Sequence, residues 1–140
     1  MLERLHDHIN EELRVNTRTD TIFILTAVIF NFVMLGISSA MAGEAADNAA
    51  TVTPMIILSI TLVLSLLVNG ISITGLMTGR ATRKKLSQGL LKMYADVEVV
   101  QYYDESLLTN YMRRYVMFIS IIGLLGATSI LIPLVILLTS

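Results

Sequence analysis

The chain has 140 residues, of which 54% are hydrophobic and only 15% are charged, and its formal net charge is −1. A soluble domain contains about 25% charged residues, so this composition excludes an ordinary globular domain and a disordered chain. The sequence has no cysteine, which excludes disulfides, thiolate metal sites and catalytic thiols.

The first predicted element is an amphipathic helix over residues 1–20. Its apolar residues recur every three or four positions and form one stripe; they are Leu2, Leu5, Ile9 and Leu13. Asn16 and Thr17 interrupt this pattern, so the sequence predicts a break before the next helix. Thr19 or Asp20 can cap that next helix.

Three segments without any Asp, Glu, Lys, Arg or His follow, over residues 21–42, 54–78 and 115–139. A bilayer core about 30 Å thick needs roughly 20 apolar residues of helix, and each segment meets that length. A membrane β-barrel needs strands that alternate apolar and polar residues, whereas these segments are continuously apolar. The sequence therefore predicts an all-α integral membrane protein with three transmembrane helices.

The basic residues predict the orientation of these spans. Three Lys and Arg residues precede the first span and seven lie in the 79–114 segment, whereas the 43–53 loop and the C-terminus have none. Short loops rich in Lys and Arg stay in the cytoplasm. We expect a multi-pass cell-membrane protein with a cytoplasmic N-terminus and an external C-terminus. Because the bias is one-sided, we expect any homo-oligomer to be parallel.

The 79–114 segment is predicted to be helical and cytoplasmic. It contains a stripe with coiled-coil spacing, formed by Leu86, Leu90, Met93, Val97 and Val100. Residues 80–92 carry five basic and no acidic side chains, whereas the N-terminal helix is rich in acids, so we expect the two stripes to pack together. The alternative is that each helix lies separately on the lipid headgroups. Asp104 or Ser106 is the expected cap of the helix that enters the third span.

The second span has one polar face at helical spacing, formed by Thr61, Ser65, Asn69 and Ser72. Asn31 lies near the middle of the first span. Because an asparagine in hydrocarbon needs a hydrogen-bond partner, we predict a bond from Asn31 to Asn69, within one subunit or across an interface. The face either lines a pore or holds helices together.

Three pairs of small residues at i, i+4 spacing also mark close helix contacts: Gly36 with Ala40, Gly75 with Gly79, and Gly123 with Ala127.

A basic run directly follows the second span, and we expect it to bind anionic lipid headgroups; its members are Arg80, Arg83, Lys84 and Lys85. Nucleic acid is not an expected partner, because the cytoplasmic side has ten basic against nine acidic residues.

The residue pattern also limits the possible functions. The spans contain no Asp, Glu, Lys, Arg or His, which argues against proton relays and voltage sensors. The sequence has no catalytic motif, so we do not expect this protein to be an enzyme, and we expect no metal site or cofactor. Glu3 and His6 have the spacing of a di-iron pair, but they are better explained as solvated residues. The sequence favours a homo-oligomeric pore or ion channel in the bilayer, lined by the polar face of the second span. The alternative is a non-conducting membrane scaffold or accessory subunit that presents its cytoplasmic helices to a protein partner.

Overall fold

Three long helices make up the part of the chain that the computed structural model describes, residues 2–48, 51–99 and 106–139. They are α1 (Leu2–Asp47), α2 (Val52–Asp96) and α3 (Ser106–Thr139). By length and composition, each of them could cross a membrane. The predicted all-α class is confirmed, and so is the presence of three helices of membrane-spanning length.

α1 continues through Asn16 and Thr17, so the predicted break at these residues is wrong. The Thr17 hydroxyl donates to the Leu13 carbonyl oxygen over 2.9 Å, and Asn16 Nδ2 donates to the Asp20 carboxylate over 3.1 Å. Both bonds are compatible with a continuous helix, because a carbonyl oxygen can accept a second hydrogen bond and the Asn16 amide binds another side chain. Asp20 and Thr19 therefore lie inside α1 instead of capping a second helix.

The connection between α1 and α2 is shorter than the predicted 43–53 loop. α1 ends at Asp47 and α2 begins at Val52. The Asn48 N–H donates to the Glu44 carbonyl oxygen over 3.0 Å, which continues the helical hydrogen-bond pattern by one residue. Most of the predicted loop is therefore helical.

α2 ends at Asp96, in the middle of the segment that was predicted to form one stripe. The Val99 N–H donates to the Tyr94 carbonyl oxygen over 3.0 Å, and the Glu98 N–H donates to that of Ala95 over 3.1 Å. Together with the positive φ of 59° at Glu98, these two bonds form a Schellman motif, which terminates a helix. α3 then begins at Ser106, while Val100 and Asp104 lie outside the described residues.

The chain forms two compact units, which we call unit 1 (Met1–Phe23 with Thr74–Ile119) and unit 2 (Ile24–Ile73 with Ser120–Ser140). In unit 1, α1 and α2 are antiparallel: the ring of His6 lies 5.8 Å from that of Tyr94, while Thr17, further along α1, accepts a bond from the earlier Arg83 of α2. Ile9 is buried between these contacts with Leu90 and Met93, and partly buried side chains pack around them: Leu13, Leu86 and Tyr94.

The predicted docking of the two apolar stripes is confirmed at its centre and wrong at one end. Ile9 and Leu13 pack against α2 as expected. Leu5 is 47% exposed and Val97 is 50% exposed. Val97 lies in the turn that follows Asp96, so α2 offers Leu5 no further turn of helix to pack against.

This difference allows a matched test of the docked helices. Ile9→Ala removes a buried side chain, and we expect it to destabilise the packing of unit 1 by about 2 to 5 kcal/mol. Amide hydrogen exchange over residues 86–94 should then become faster. Leu5→Ala, on the same helix but exposed, should leave that exchange unchanged. Equal effects of the two substitutions would contradict the observed packing.

Candidate functional site

Unit 2 buries polar side chains and exposes large apolar ones. Of the fourteen buried residues among the described part of this unit, seven are Ser, Thr or Asn. Ile29 is 62% exposed and Leu124 is 69% exposed, and many other large apolar residues of the three helices also face outward. Soluble proteins rarely expose extended apolar surface of this kind. The distribution suits hydrocarbon surroundings.

The centre of unit 2 is a reciprocal amide pair between α1 and α2. Asn31 Nδ2 donates to Asn69 Oδ1, and Asn69 Nδ2 donates back to Asn31 Oδ1, both over 2.8 Å. The second hydrogen of each amide goes to its own helix: Asn31 donates to the Ala27 carbonyl oxygen over 2.9 Å and Asn69 to that of Ser65 over 2.7 Å. The predicted Asn31–Asn69 bond is therefore present, and it forms within one chain.

α3 completes this site through a glycine and a serine. A Cβ on Gly126 would lie 2.7 Å from Asn69 Cγ, so only glycine lets the amide pair lie directly against α3. Ser129 Oγ lies 3.2 Å from Asn31 Oδ1 and 2.9 Å from the Gly126 carbonyl oxygen. All three helices therefore meet at the amide pair.

The remaining members of the predicted polar face are also buried inside unit 2: Thr61, Ser65 and Ser72. The Thr61 hydroxyl donates to the Leu58 carbonyl oxygen over 2.8 Å. Within the described residues, every buried side-chain nitrogen and oxygen has a hydrogen-bond partner. The whole face thus lies inside the bundle of a single chain. We call Asn31, Thr61, Ser65, Asn69, Ser72 and Ser129 the polar core.

A further contact of unit 2 lies next to a proline. α3 continues through Pro133, whose nitrogen has no hydrogen to donate to the Ser129 carbonyl oxygen. Ser38 Oγ of α1 lies 3.5 Å from that oxygen and also donates to the Met34 carbonyl oxygen over 2.6 Å. A carbonyl without its usual donor follows from any proline inside a helix, whereas the serine near it is seen only in the folded chain.

Unit 1 has its own buried polar cluster, which we call the Asp20 layer: Asn16, Asp20, Gly79 and Tyr115. Asn16 Nδ2 lies 3.1 Å from Asp20 Oδ2, 3.2 Å from the Gly79 carbonyl oxygen and 3.1 Å from Tyr115 Oη. The Tyr115 hydroxyl donates to the Asp20 carboxylate. The Asp20 carboxylate packs so closely on Gly79 that a side chain there would displace it. The layer therefore links α1, α2 and α3 within unit 1.

Sequence reasoning missed the Asp20 layer because each member had a simpler local explanation. Asn16 fits a helix breaker, Asp20 fits a cap, and Tyr115 is the first residue of the third predicted span. One feature of the sequence is consistent with the layer. Asn16 and Asp20 are four residues apart and therefore lie on the same side of α1, and Gly79 is a small residue of α2 that leaves space for them.

Burial raises the pKa of Asp20 above its usual value, while the hydrogen bond from Tyr115 and the charge of Arg83 lower that pKa.

The predicted headgroup-binding residues have two different environments. Arg83 is held on the protein: its Nη1 donates to Thr17 Oγ1 over 2.9 Å, and its Cζ lies 4.2 Å from the centre of the Tyr111 ring. Three others are exposed: Arg80, Lys84 and Lys85. Only these three are free to bind a ligand with their whole side chain.

The other residues that the sequence singled out show no arrangement for metal chemistry. Over the described ranges, no group of three or more His, Cys, Asp or Glu could hold a metal ion. His6 Nε2 lies 2.8 Å from Asn10 Nδ2.

Among the small-residue pairs, a Cβ on Gly75 would lie 2.9 Å from the Phe23 ring, whereas Gly36 and Gly123 face open space.

Comparison with protein-family models, curated proteins and solved structures gives no match. The function therefore has to be inferred from geometry and sequence. The polar core of unit 2 is the most informative feature, because it shows what the polar face of the second predicted span contacts.

Two glycines of α3 provide a matched test of the polar core. Gly126→Ala places a methyl group against the Asn69 amide, and we expect it to destabilise the protein by about 1 to 3 kcal/mol. Gly123→Ala enters open space and should be neutral or slightly stabilising, since alanine favours helix over glycine. Thermal unfolding in detergent measures both variants. Equal melting temperatures for the two would show that α3 does not contact the amide pair.

Proposed function

We propose that this chain is a multi-pass membrane protein that does not conduct, and that it acts as a scaffold or accessory subunit. In this proposal, residues 21–42, 54–78 and 115–139 cross the bilayer. The N-terminal part of α1 and the 79–114 segment lie in the cytoplasm, where they are presented to a protein partner.

The observation that carries this proposal is the reciprocal bond between Asn31 and Asn69. A pore-lining amide must face water or a permeating ion. Here, both amide N–H groups of each asparagine donate hydrogen bonds to acceptors within the same chain. Turning Asn69 toward a pore axis would break these bonds and leave Asn31 without a partner in hydrocarbon, which is costly. The polar face is thus better explained as a contact between helices than as a pore lining.

Membrane insertion is supported by the surface of unit 2. Its buried side chains are polar to an unusual extent and its exposed ones are largely apolar, which is the distribution expected for helices surrounded by lipid tails. Self-association remains a prediction. If copies do associate, we expect them to be parallel and to meet through residues outside the polar core.

The proposed partner surface lies on the exposed side of α1 in unit 1. Glu3, Asp7 and Glu12 are exposed, and Val15 is 49% exposed. Acidic side chains beside exposed apolar ones favour a partner with a basic and apolar surface. In contrast, Glu11 forms an ion pair with Arg14 over 2.7 Å and is less available to such a partner.

Purified protein in planar bilayers tests the proposed lack of conduction. We expect no current from the wild-type chain. Asn69→Leu should destabilise the fold by about 1 to 3 kcal/mol, because it leaves a buried amide unpaired. Ser59→Leu is the control, since Ser59 is an exposed polar residue of the same helix, and it should leave stability unchanged. A wild-type current that Asn69→Leu abolishes without loss of stability would overturn the scaffold proposal and support the homo-oligomeric pore.

The proposed orientation is tested by single cysteines, which label cleanly because the natural chain has none. Asn48 and Gln88 are both exposed and lie on opposite sides of the second predicted span. Asn48→Cys should react with an impermeant thiol reagent applied to intact cells, and Gln88→Cys should react only after lysis. The reverse pattern would contradict the cytoplasmic position of the basic segment.

A further inference from the structure

Unit 1 concentrates positive charge around the Asp20 layer. Residues 16–23, 76–84 and 111–119 contain six basic side chains and one acidic one. The single acid, Asp20, is buried and bonded to Asn16 and Tyr115. Five of the six basic residues are exposed, and we call them the basic belt: Arg18, Arg80, Lys84, Arg113 and Arg114.

The basic belt lies close to the Asp20 layer of unit 1. Asn16 Nδ2 lies 3.2 Å from the Gly79 carbonyl oxygen and 3.1 Å from Tyr115 Oη. Every belt residue is within five positions of one of these three residues, which is at most about 7.5 Å along a helix. All three helices therefore contribute positive charge close to the Asp20 layer.

Among the described residues of unit 1, no acidic side chain forms an ion pair with the basic belt. In the part of the chain that the structure describes, the ion pair between Arg14 and Glu11 is the only one, and none of the belt residues belongs to it. The sixth basic residue, Arg83, differs because it donates to Thr17 Oγ1 and its Cζ lies 4.2 Å from the centre of the Tyr111 ring. Arg114 Cζ lies 5.8 Å from the same ring centre, and Arg114 remains exposed. The belt thus presents exposed positive charges from all three helices.

We propose that the basic belt binds the phosphate groups of anionic phospholipids in the inner leaflet. This inference rests on the proposed membrane insertion. Arg18, Arg80 and Arg114 each lie within three residues of an uncharged apolar segment, which is the depth at which lipid phosphates lie if those segments span the bilayer. The charges are exposed and come from three helices, so they fit several lipid headgroups around the protein better than one soluble phosphate.

The belt differs from the basic run that the sequence predicted. It includes Arg18, Arg113 and Arg114, which are distant in sequence from that run. Arg83 is excluded because its guanidinium is already engaged, and Lys85 because it lies further from the Asp20 layer. The lipid contact is therefore a property of the three-helix arrangement and not of one polybasic segment.

Native mass spectrometry of the full chain in detergent tests the proposal by counting retained lipids. The probes are phosphatidylglycerol and phosphatidylcholine of matched chain length. Each basic residue near an anionic surface contributes about fivefold to binding, so Arg113→Gln with Arg114→Gln should reduce the phosphatidylglycerol preference by about 25-fold. Arg80→Gln with Lys84→Gln is an independent second pair. Because all four side chains are exposed, we expect both pairs to fold.

The matched control is Arg4→Gln with Lys92→Gln, which removes the same charge from exposed residues far from the Asp20 layer. It should change the preference by less than about twofold. If the control and both belt pairs lose the phosphatidylglycerol preference equally, the effect is non-specific and the proposed binding by the basic belt is wrong. If millimolar inorganic phosphate displaces the bound lipid, the ligand is a soluble anion and not a phospholipid. Recovery of the protein from cells without detergent would instead overturn the proposed membrane insertion.

Discussion

A polar side chain that is buried away from water must find its hydrogen-bond partners within the protein, and the structure of unit 2 depends on this constraint. Asn31 and Asn69 satisfy it by bonding to each other and to their own helices. Gly126 leaves space for the pair and Ser129 lies beside it, so α3 packs where the amides require it. If the surroundings of unit 2 are lipid, water cannot replace any of these partners.

The Asn31–Asn69 bond was predictable because the predicted spans contain just these two side-chain amides. The direction in which the polar face points was not predictable. Periodicity places Thr61, Ser65 and Ser72 on one side of α2, but a face that lines a pore and a face that packs against α1 have the same spacing. Only the packing of the folded chain distinguishes them, and it turns the face inward.

The helix boundaries show a different limit of sequence reasoning. Asn16 and Thr17 are poor helix formers, yet their side chains are bonded within α1 and within the Asp20 layer, so tertiary contacts override the local preference. At the other end of unit 1, a Schellman motif places Glu98 at positive φ, where glycine is usual. No residue type at that position signals the end of α2. The apolar stripe of Ile9 and Leu90 was predictable because burial follows helical periodicity directly.

Directional bonds also explain how long apolar helices acquire a defined register. Lipid tails are as apolar as leucine, so burial alone gives such helices little reason to prefer one register over another. A slip of α2 by one turn would move it by about 5.4 Å and separate Asn69 from Asn31 in unit 2. In unit 1, the bond from Asn16 to the Gly79 carbonyl oxygen would be broken by the same slip of α2 along α1. Each unit therefore contains a polar contact that only one alignment of its helices satisfies, and the apolar residues around it only need to fill space.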